Sequence, residues 1–218
     1  SRNADDKVVK AETGQFYSTF SCWDTYRAAH PFYTIVMPDR VDGMVNSLVE
    51  QAEVQGFLPI WGLWGKENYC MVANHAVSIV AEAYHKGFDA ERAFNAIKKT
   101  QTVSHKLKSD WENYMKYGYL PTDLTEAESV SSSLESMYDD YAAADMARLM
   151  GKKQDQQYFA RRANFYKNLF DKSTQFMRPR LSDGTWKTPF DPSNLAHAES
   201  TGLAMKKAAP TSMRKATV

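Results

Sequence analysis

The sequence predicts an all-α fold, a partial α/α toroid of antiparallel helix pairs with its long loops on one face. Three observations carry this. Apolar residues recur at helical spacing over most of the chain. Gly56, Gly87, Gly118 and Gly151 close four such segments at intervals of 31, 31 and 33 residues, where a left-handed residue best ends a last turn. Gly56-Phe57-Leu58-Pro59 returns as Gly118-Tyr119-Leu120-Pro121, 62 residues on, so the repeating unit is a helix pair. A unit of that length is too long for tetratricopeptide or ankyrin repeats of about 33–34 residues.

In chain order the helices are expected over 22–37, 39–55, 71–86, 89–104, 109–117, 133–150 and 152–170. Asp89 is the expected cap of the fourth. The fifth rests on Trp111, Tyr114 and Met115, and 104–118 reads equally as mostly loop. Ser132 with Glu135 makes a capping box for the sixth, whose face runs Leu134, Met137, Tyr138, Tyr141, Ala142, Met146 and Leu149. Connections near Pro38, Gly87 and Gly151 are short, whereas 57–70, 118–132 and 171–200 are long and carry Pro, Gly, Trp and carboxylates. In an up-down array every second connection falls on the same end, so the long loops are expected together on the face where function sits. Residues 1–14 read as a fragment start or linker, 15–192 as the helical domain, and 193–218 as an atypical basic tail.

Composition excludes several classes. The 218 residues at 24.8 kDa are enough for one domain, or a large piece of one, without disulfide or metal staples. Lys and Arg number 27 against 26 Asp and Glu, so the formal charge of +1 gives no global field for nucleic acid or an acidic membrane. Mean hydropathy is −0.55, and no apolar run approaches the roughly 18 residues of a spanning helix. Cys22 and Cys70 support neither a disulfide framework nor a four-ligand zinc site. The chain starts at Ser1 without a charged-then-apolar leader, so any signal peptide is expected outside it. His30 precedes Pro31, His75 sits on a helix, and His85 and His105 read as peripheral. No histidine forms a His-x-x-x-His or Glu-x-x-His pair, and no nucleophile elbow, phosphate loop or dinucleotide fingerprint is present. Hydrolysis by carboxylates, with or without an oxygen-liking cation, survives this elimination. A calcium ion needs six to eight oxygens, which no local motif here supplies.

Two stretches concentrate polar and aromatic chemistry. In Phe16-Tyr-Ser-Thr-Phe-Ser-Cys-Trp-Asp-Thr-Tyr-Arg27, Asp24 and Arg27 are three apart, share a helix face and can pair. The plainer alternative is a first-turn aspartate favoured by the helix dipole. Trp23 beside them is a sugar platform or a core residue. In the loop after Pro59, Trp61 and Trp64 alternate with Gly62 and Gly65 and lead to Glu67 and Asn68, a pattern that fits a ring-stacking mouth or a plug at the end of a helical ring. Asp139 and Asp140 are about 100° apart on a helix, so one is expected inside and the other solvated. Glu126, Glu128 and Glu135 are expected to be loop and cap charges.

Tyr17 to Pro31, Gly56-Phe-Leu-Pro-Ile-Trp61, Ser133-Leu-Glu-Ser-Met-Tyr-Asp-Asp140, Ala147-Arg-Leu-Met-Gly151, and Arg178-Pro-Arg180 with Asp183-Gly-Thr-Trp186 resemble glycoside hydrolase family 92 from about Gln15 to Pro192. The resemblance implies a calcium-dependent, exo-acting, inverting α-mannosidase in which a β-sandwich precedes an (α/α)6 catalytic domain. This chain would be the first part of that domain. It further implies a mannose-containing glycan as substrate and a secreted, periplasmic or cell-surface location. Trp23, Asp24 and Arg27 are then expected at sugar hydroxyls or in positioning, with Trp61, Trp64, Glu67 and Asn68 at the rim. The Ca2+ ligands are expected mostly outside the chain.

The family's Glu-Gly-Asn acid motif and later aspartate-rich base motif are missing, so no catalytic residue is assigned. His197-Ala198-Glu199 has the glutamate without Gly-Asn. The tail, Ser193 to Val218, is expected to be at least partly a frame-shifted reading of the acid motif. One permitted codon choice for Met213 to Val218, ATG CGG AAG GCA ACA GTN, reads Ala-Glu-Gly-Asn-Ser when two bases are dropped. The competing classes are a helical protein- or peptide-binding scaffold, which needs hydrophobic anchors without converging carboxylates, and another α/α-toroid carbohydrate-active enzyme such as a lyase, which needs a Tyr, His or Lys base near a cation.

Overall fold

In the computed structural model, residues 3–8, 10, 14–88, 91–105, 109–125 and 127–193 are described. The elements in order are β1 (Phe20–Ser21), α1 (Cys22–Thr25), α2 (Ala29–Val36), α3 (Pro38–Gln55), β2 (Trp61–Leu63), β3 (Lys66–Glu67), α4 (Ala76–His85), α5 (Glu91–Thr100), α6 (Trp111–Tyr117), α7 (Ser129–Leu149), α8 (Lys153–Ala163), a 3₁₀ turn (Asn164–Asn168), β4 (Phe170–Asp171) and β5 (Phe176–Met177). The molecule is mostly helical. Its few strands are short: an antiparallel hairpin lies in the loop 57–70 and another over 170–177, and β1 adds a third strand to the first.

Helix ends follow the glycines. Gly56, Gly87, Gly118 and Gly151 all take left-handed φ, from 70° to 96°, and the Gly56 N–H closes its helix on Ala52 O at 2.8 Å. Helix starts depart further from expectation. The segment 22–37 is two helices, since Pro31 brings no N–H and is accommodated only because α2 begins anew at Ala29, placing proline in its first turn. Over 71–86 the helix begins only at Ala76, because Met71 and Ala73 hold φ of 70° and 57°, which a right-handed helix cannot contain.

The helix expected over 133–150 starts at Ser129. Ser132 N donates to Glu128 O at 2.8 Å from inside the helix, and Glu135 is 1% exposed, so there is no Ser132–Glu135 capping box. Leu134, Met137 and Met146 of its expected apolar face are buried, while Tyr141 and Leu149 are exposed and Ala143, Ala144 and Ala147 are buried in their place. α6 has a side-chain cap in Asp110, which accepts from Asn113 N at 3.0 Å. Helix α8 stops at Ala163 and tightens into the 3₁₀ turn. Asp89, Glu126, Glu199 and the rest of the tail beyond Ser193 lie outside the described residues.

Two compact units divide the chain. In Ser1–Ser109 with Asp139–Ala160, α3 packs against α2, α4 and α5, burying Val45, Leu48, Ile79, Val80, Phe94 and Ile97. α4 is apolar and buried nearly all round, as a central helix must be. In Asp110–Tyr138 with Arg161–Val218, the core is Trp111, Tyr114, Tyr119, Leu120, Val130, Leu134, Met137 and Leu169. The fully buried Arg162 guanidinium lies 4.6 Å from the Trp111 ring and 5.2 Å from that of Tyr114, a cation–π seat within this second core.

Candidate functional site

The two stretches singled out in the sequence are joined by the small sheet of the first unit. β1 pairs with β2, Phe20 opposite Gly62 and Ser21 opposite Trp61, and β2 pairs with β3, Gly62 opposite Glu67 and Leu63 opposite Lys66. Trp23, Asp24 and Arg27 therefore leave β1 beside the hairpin that carries Trp61, Trp64, Glu67 and Asn68. The contact point is tight, since a Cβ on Gly62 would stand 3.1 Å from Gln51 Oε1. The buried Cys22 thiol donates to Pro59 O at 3.7 Å, and burial pushes its pKa far up, which leaves it an unreactive packing group.

Trp64 and Gly65 form the two-residue tip of the hairpin with φ of 55° and 82°. Such turns favour Asn-Gly, because both central residues are left-handed. Trp64 is neither small nor polar, and it is 73% exposed. Glu67 faces its own loop: its carboxylate accepts from Ile60 N at 2.5 Å, Trp61 N at 3.1 Å and Tyr69 N at 2.8 Å. Asn68 Oδ1 accepts from Cys70 N at 2.8 Å, an Asx-type turn. Trp61 is half-buried.

Asp24 and Arg27 do not share a helix face, because α1 ends at Thr25. The Arg27 guanidinium instead lies 4.7 Å from the half-buried Trp23 ring and 4.8 Å from the Tyr26 ring, while Asp24 is exposed. Tyr26 stacks nearly flat on His75, with centroids 4.0 Å apart and planes at 14°. His75 Nδ1 stands 2.8 Å from Asp139 Oδ1, the geometry of an imidazole N–H donating to a carboxylate. Asn74 N and Ser78 Oγ also donate to Asp139, at 3.0 and 3.1 Å.

Asp139 and Asp140 are both fully buried, which corrects the expectation that one is solvated; Asp140 accepts from Gln101 Nε2 at 3.2 Å. Hydrogen bonding inside the core replaces the hydration that a surface aspartate would have. The segment between the Glu67 and Asp139 anchors holds left-handed Tyr69, Met71 and Ala73, a concentration of backbone strain that only surrounding bonds maintain. Sequence reasoning missed the His75–Asp139 pair, because 64 residues separate its members and no local spacing marks it.

Among the described residues no group of three or more His, Cys, Asp and Glu side chains is placed to hold a metal ion. Glu67 and Asp139 are each committed to several donors of their own fold.

Comparison with known proteins gives the class: the model of the glycosyl hydrolase family 92 catalytic domain matches residues 2–215. The chain belongs to this family. Among solved structures it is similar to a family GH92 alpha-mannosidase of Bacteroides thetaiotaomicron. Against that protein in complex with mannoimidazole the identity is 42% and the TM-score 0.83, covering 88% of this chain and 25% of that one. Against the same mannosidase described without that compound, the identity is 41% and the TM-score 0.85, covering 92% and 27%. A family GH92 inverting mannosidase of Bacteroides thetaiotaomicron VPI-5482 is 28% identical, with TM-score 0.76 over 82% of this chain and 25% of that one. The chain thus spans about a quarter of the length of these structures. No curated protein matches it.

Proposed function

We propose that this chain is part of an exo-acting, inverting α-mannosidase that hydrolyses mannose-containing glycans, and that it supplies one wall of the sugar site. The observation that carries the reading is the β1–β2 pairing, which sets Trp23, Asp24 and Arg27 beside Trp61 and Trp64 in a chain of family 92. Aromatic faces stack on the apolar face of a pyranose, a carboxylate accepts from sugar hydroxyls, and a guanidinium donates to them. Trp64 and Trp23 supply the faces, Asp24 the acceptor and Arg27 the donor. Glu67 and Asn68 act one step back, holding the hairpin.

The relatives' descriptions as an alpha-mannosidase, one described with mannoimidazole, and as an inverting mannosidase support the substrate class and the stereochemistry. Inversion needs an acid that protonates the leaving oxygen and a base that activates water from the opposite face, about 6.5–9.5 Å away. Neither is assigned to this chain, so 1–218 alone is proposed to be inactive. The calcium of the family would be held by residues other than those described. An (α/α)6 ring, a preceding β-sandwich, and a secreted, periplasmic or surface location complete the proposal. No helix among the described residues is long and apolar enough to cross a membrane.

A chimera tests it. In the 42%-identical mannosidase the matching part is replaced by residues 15–192 of this chain, and hydrolysis of an α-mannoside is measured. The expected result is retained turnover that Asp24→Ala lowers at least about a hundredfold, the scale of a lost positioning contact. A folded chimera in which Asp24→Ala leaves turnover unchanged would contradict the site.

A further inference from the structure

The geometry points to Asp139 and His75 as positioning residues that hold the Tyr26–Arg27 edge of the sugar wall, a role that rests on the function proposed above. Tyr26 to Ala28 is a turn between α1 and α2, where the Tyr26 N–H donates to Cys22 O at 3.0 Å and Ala28 O accepts from Phe32 N at 2.9 Å. Ring contacts add to these backbone bonds. Arg27 lies on Tyr26, Tyr26 lies on His75, and His75 is turned by Asp139, through steps of 4.8, 4.0 and 2.8 Å.

Each step has a physical reason. A flat stack holds only while the imidazole plane is fixed, and a ring-nitrogen hydrogen bond to a carboxylate fixes it, as it does for histidines in metal and catalytic sites. Asp139 is itself immobile, because Asn74 N–H and the Ser78 hydroxyl complete its bonding and none of it is exposed. The same Asn74 donates its side-chain amide to Leu58 O at 2.5 Å, at the start of the loop that leads into β2. One buried carboxylate thus reaches Arg27 through aromatic contact and the Trp61 hairpin through backbone. A guanidinium on a fixed aromatic floor loses less freedom when it meets a hydroxyl than one on a mobile stem.

The test uses isotope-labelled 1–218 and four variants. Asp139→Asn replaces one acceptor oxygen by a donor facing donors. His75→Asn keeps a donor near Nδ1 but removes the ring. The double variant His75→Leu with Asp139→Leu removes both partners and leaves no unpaired charge, so it keeps the question open to measurement should Asp139→Asn fail to fold. Asp140→Asn disturbs an equally buried carboxylate of the same helix that bonds Gln101 instead, and it controls for general destabilisation.

In the wild type the Arg27 side-chain resonances should be moved upfield by the Trp23 and Tyr26 rings. The three test variants should lose most of that shift and Asp140→Asn should keep it. Titration with methyl α-mannoside should show affinity lower by at least about tenfold in the test variants and unchanged in the control. Arg27 signals that stay in place in the folded test variants, or that move equally in Asp140→Asn, would overturn the positioning role. Moved signals with equal mannoside affinity in every variant would overturn its bearing on sugar binding. Moved Arg27 signals in a wild type that binds no mannoside would uphold the positioning of Arg27 and sink the function proposed above.

Discussion

At the scale of single residues, burial sets the acid response. His30 is 9% exposed, stacked against Phe20 and edge-on to Tyr33, and burial lowers its pKa from 6.5 to about 4. The unfolded chain takes up that proton first as pH falls, so the contribution to stability is complete above about pH 6.5 and is lost progressively down to about pH 4. The loss amounts to at most about 3 kcal/mol. His105, also lowered by burial and stacked 3.8 Å from Phe57, acts in the same direction. Urea unfolding at pH 7 and 4.5 should show a smaller pH dependence for His30→Phe than for the wild type. Equal slopes in the two proteins would contradict this.

Trp64 makes a second residue-scale case. Trp64→Asn places the residue that a left-handed turn favours, and should stabilise the hairpin by about 1 kcal/mol while weakening mannoside binding. A variant less stable than the wild type in thermal unfolding would show that Trp64 serves the fold. Composition marked Trp64 as worth weighing, but its strain is a backbone property that no residue type announces. Nor did the sequence distinguish Glu67, whose carboxylate is engaged by backbone N–H groups of its own loop, from a residue facing solvent.

At the scale of elements, glycine carries different weights at two helix ends. A Cβ at Gly118 would stand 2.5 Å from Asn168 Nδ2, which donates to Gly118 O, and φ there is 74°. At Gly151, φ is 70° and nothing stands within 4 Å. Gly151→Ala should therefore cost only about 1 kcal/mol for the left-handed conformation, and Gly118→Ala a further 1–3 kcal/mol, roughly, for displacing a packed amide. Similar melting losses for the two variants would refute the assignment.

Helix ends were legible because the glycine requirement is local. Helix starts were not, because α4 begins where Asn74 and His75 reach Asp139, and α7 begins from Glu128 and Ser129, with Ser133 Oγ tied both to Ser129 O and to Leu120 N. The strands were missed because two or three residues contain no period to read. The consequence is largest at the site, since the proximity of Trp23 to Trp61 comes from the β1–β2 register, whereas their chemistry was visible in residue types alone.

At the scale of the whole molecule, the chain is proposed as one wall of a sugar site, with the acid and base of hydrolysis outside it. Purified 1–218 should turn over no p-nitrophenyl α-mannoside, and turnover that survives removal of contaminants would contradict the assignment of the acid and base outside it. Sugar binding to the isolated chain reports on that wall without any need for turnover. The indole N–H signals of 1–218 are followed while methyl α-mannoside is added, with methyl α-glucoside, its C2 epimer, as comparison. Saturable shifts are expected at Trp23 and Trp64, larger for the mannoside, and Asp24→Ala should abolish them. No saturable shift at either residue, or shifts confined to Trp111 and Trp186, would contradict the proposed wall.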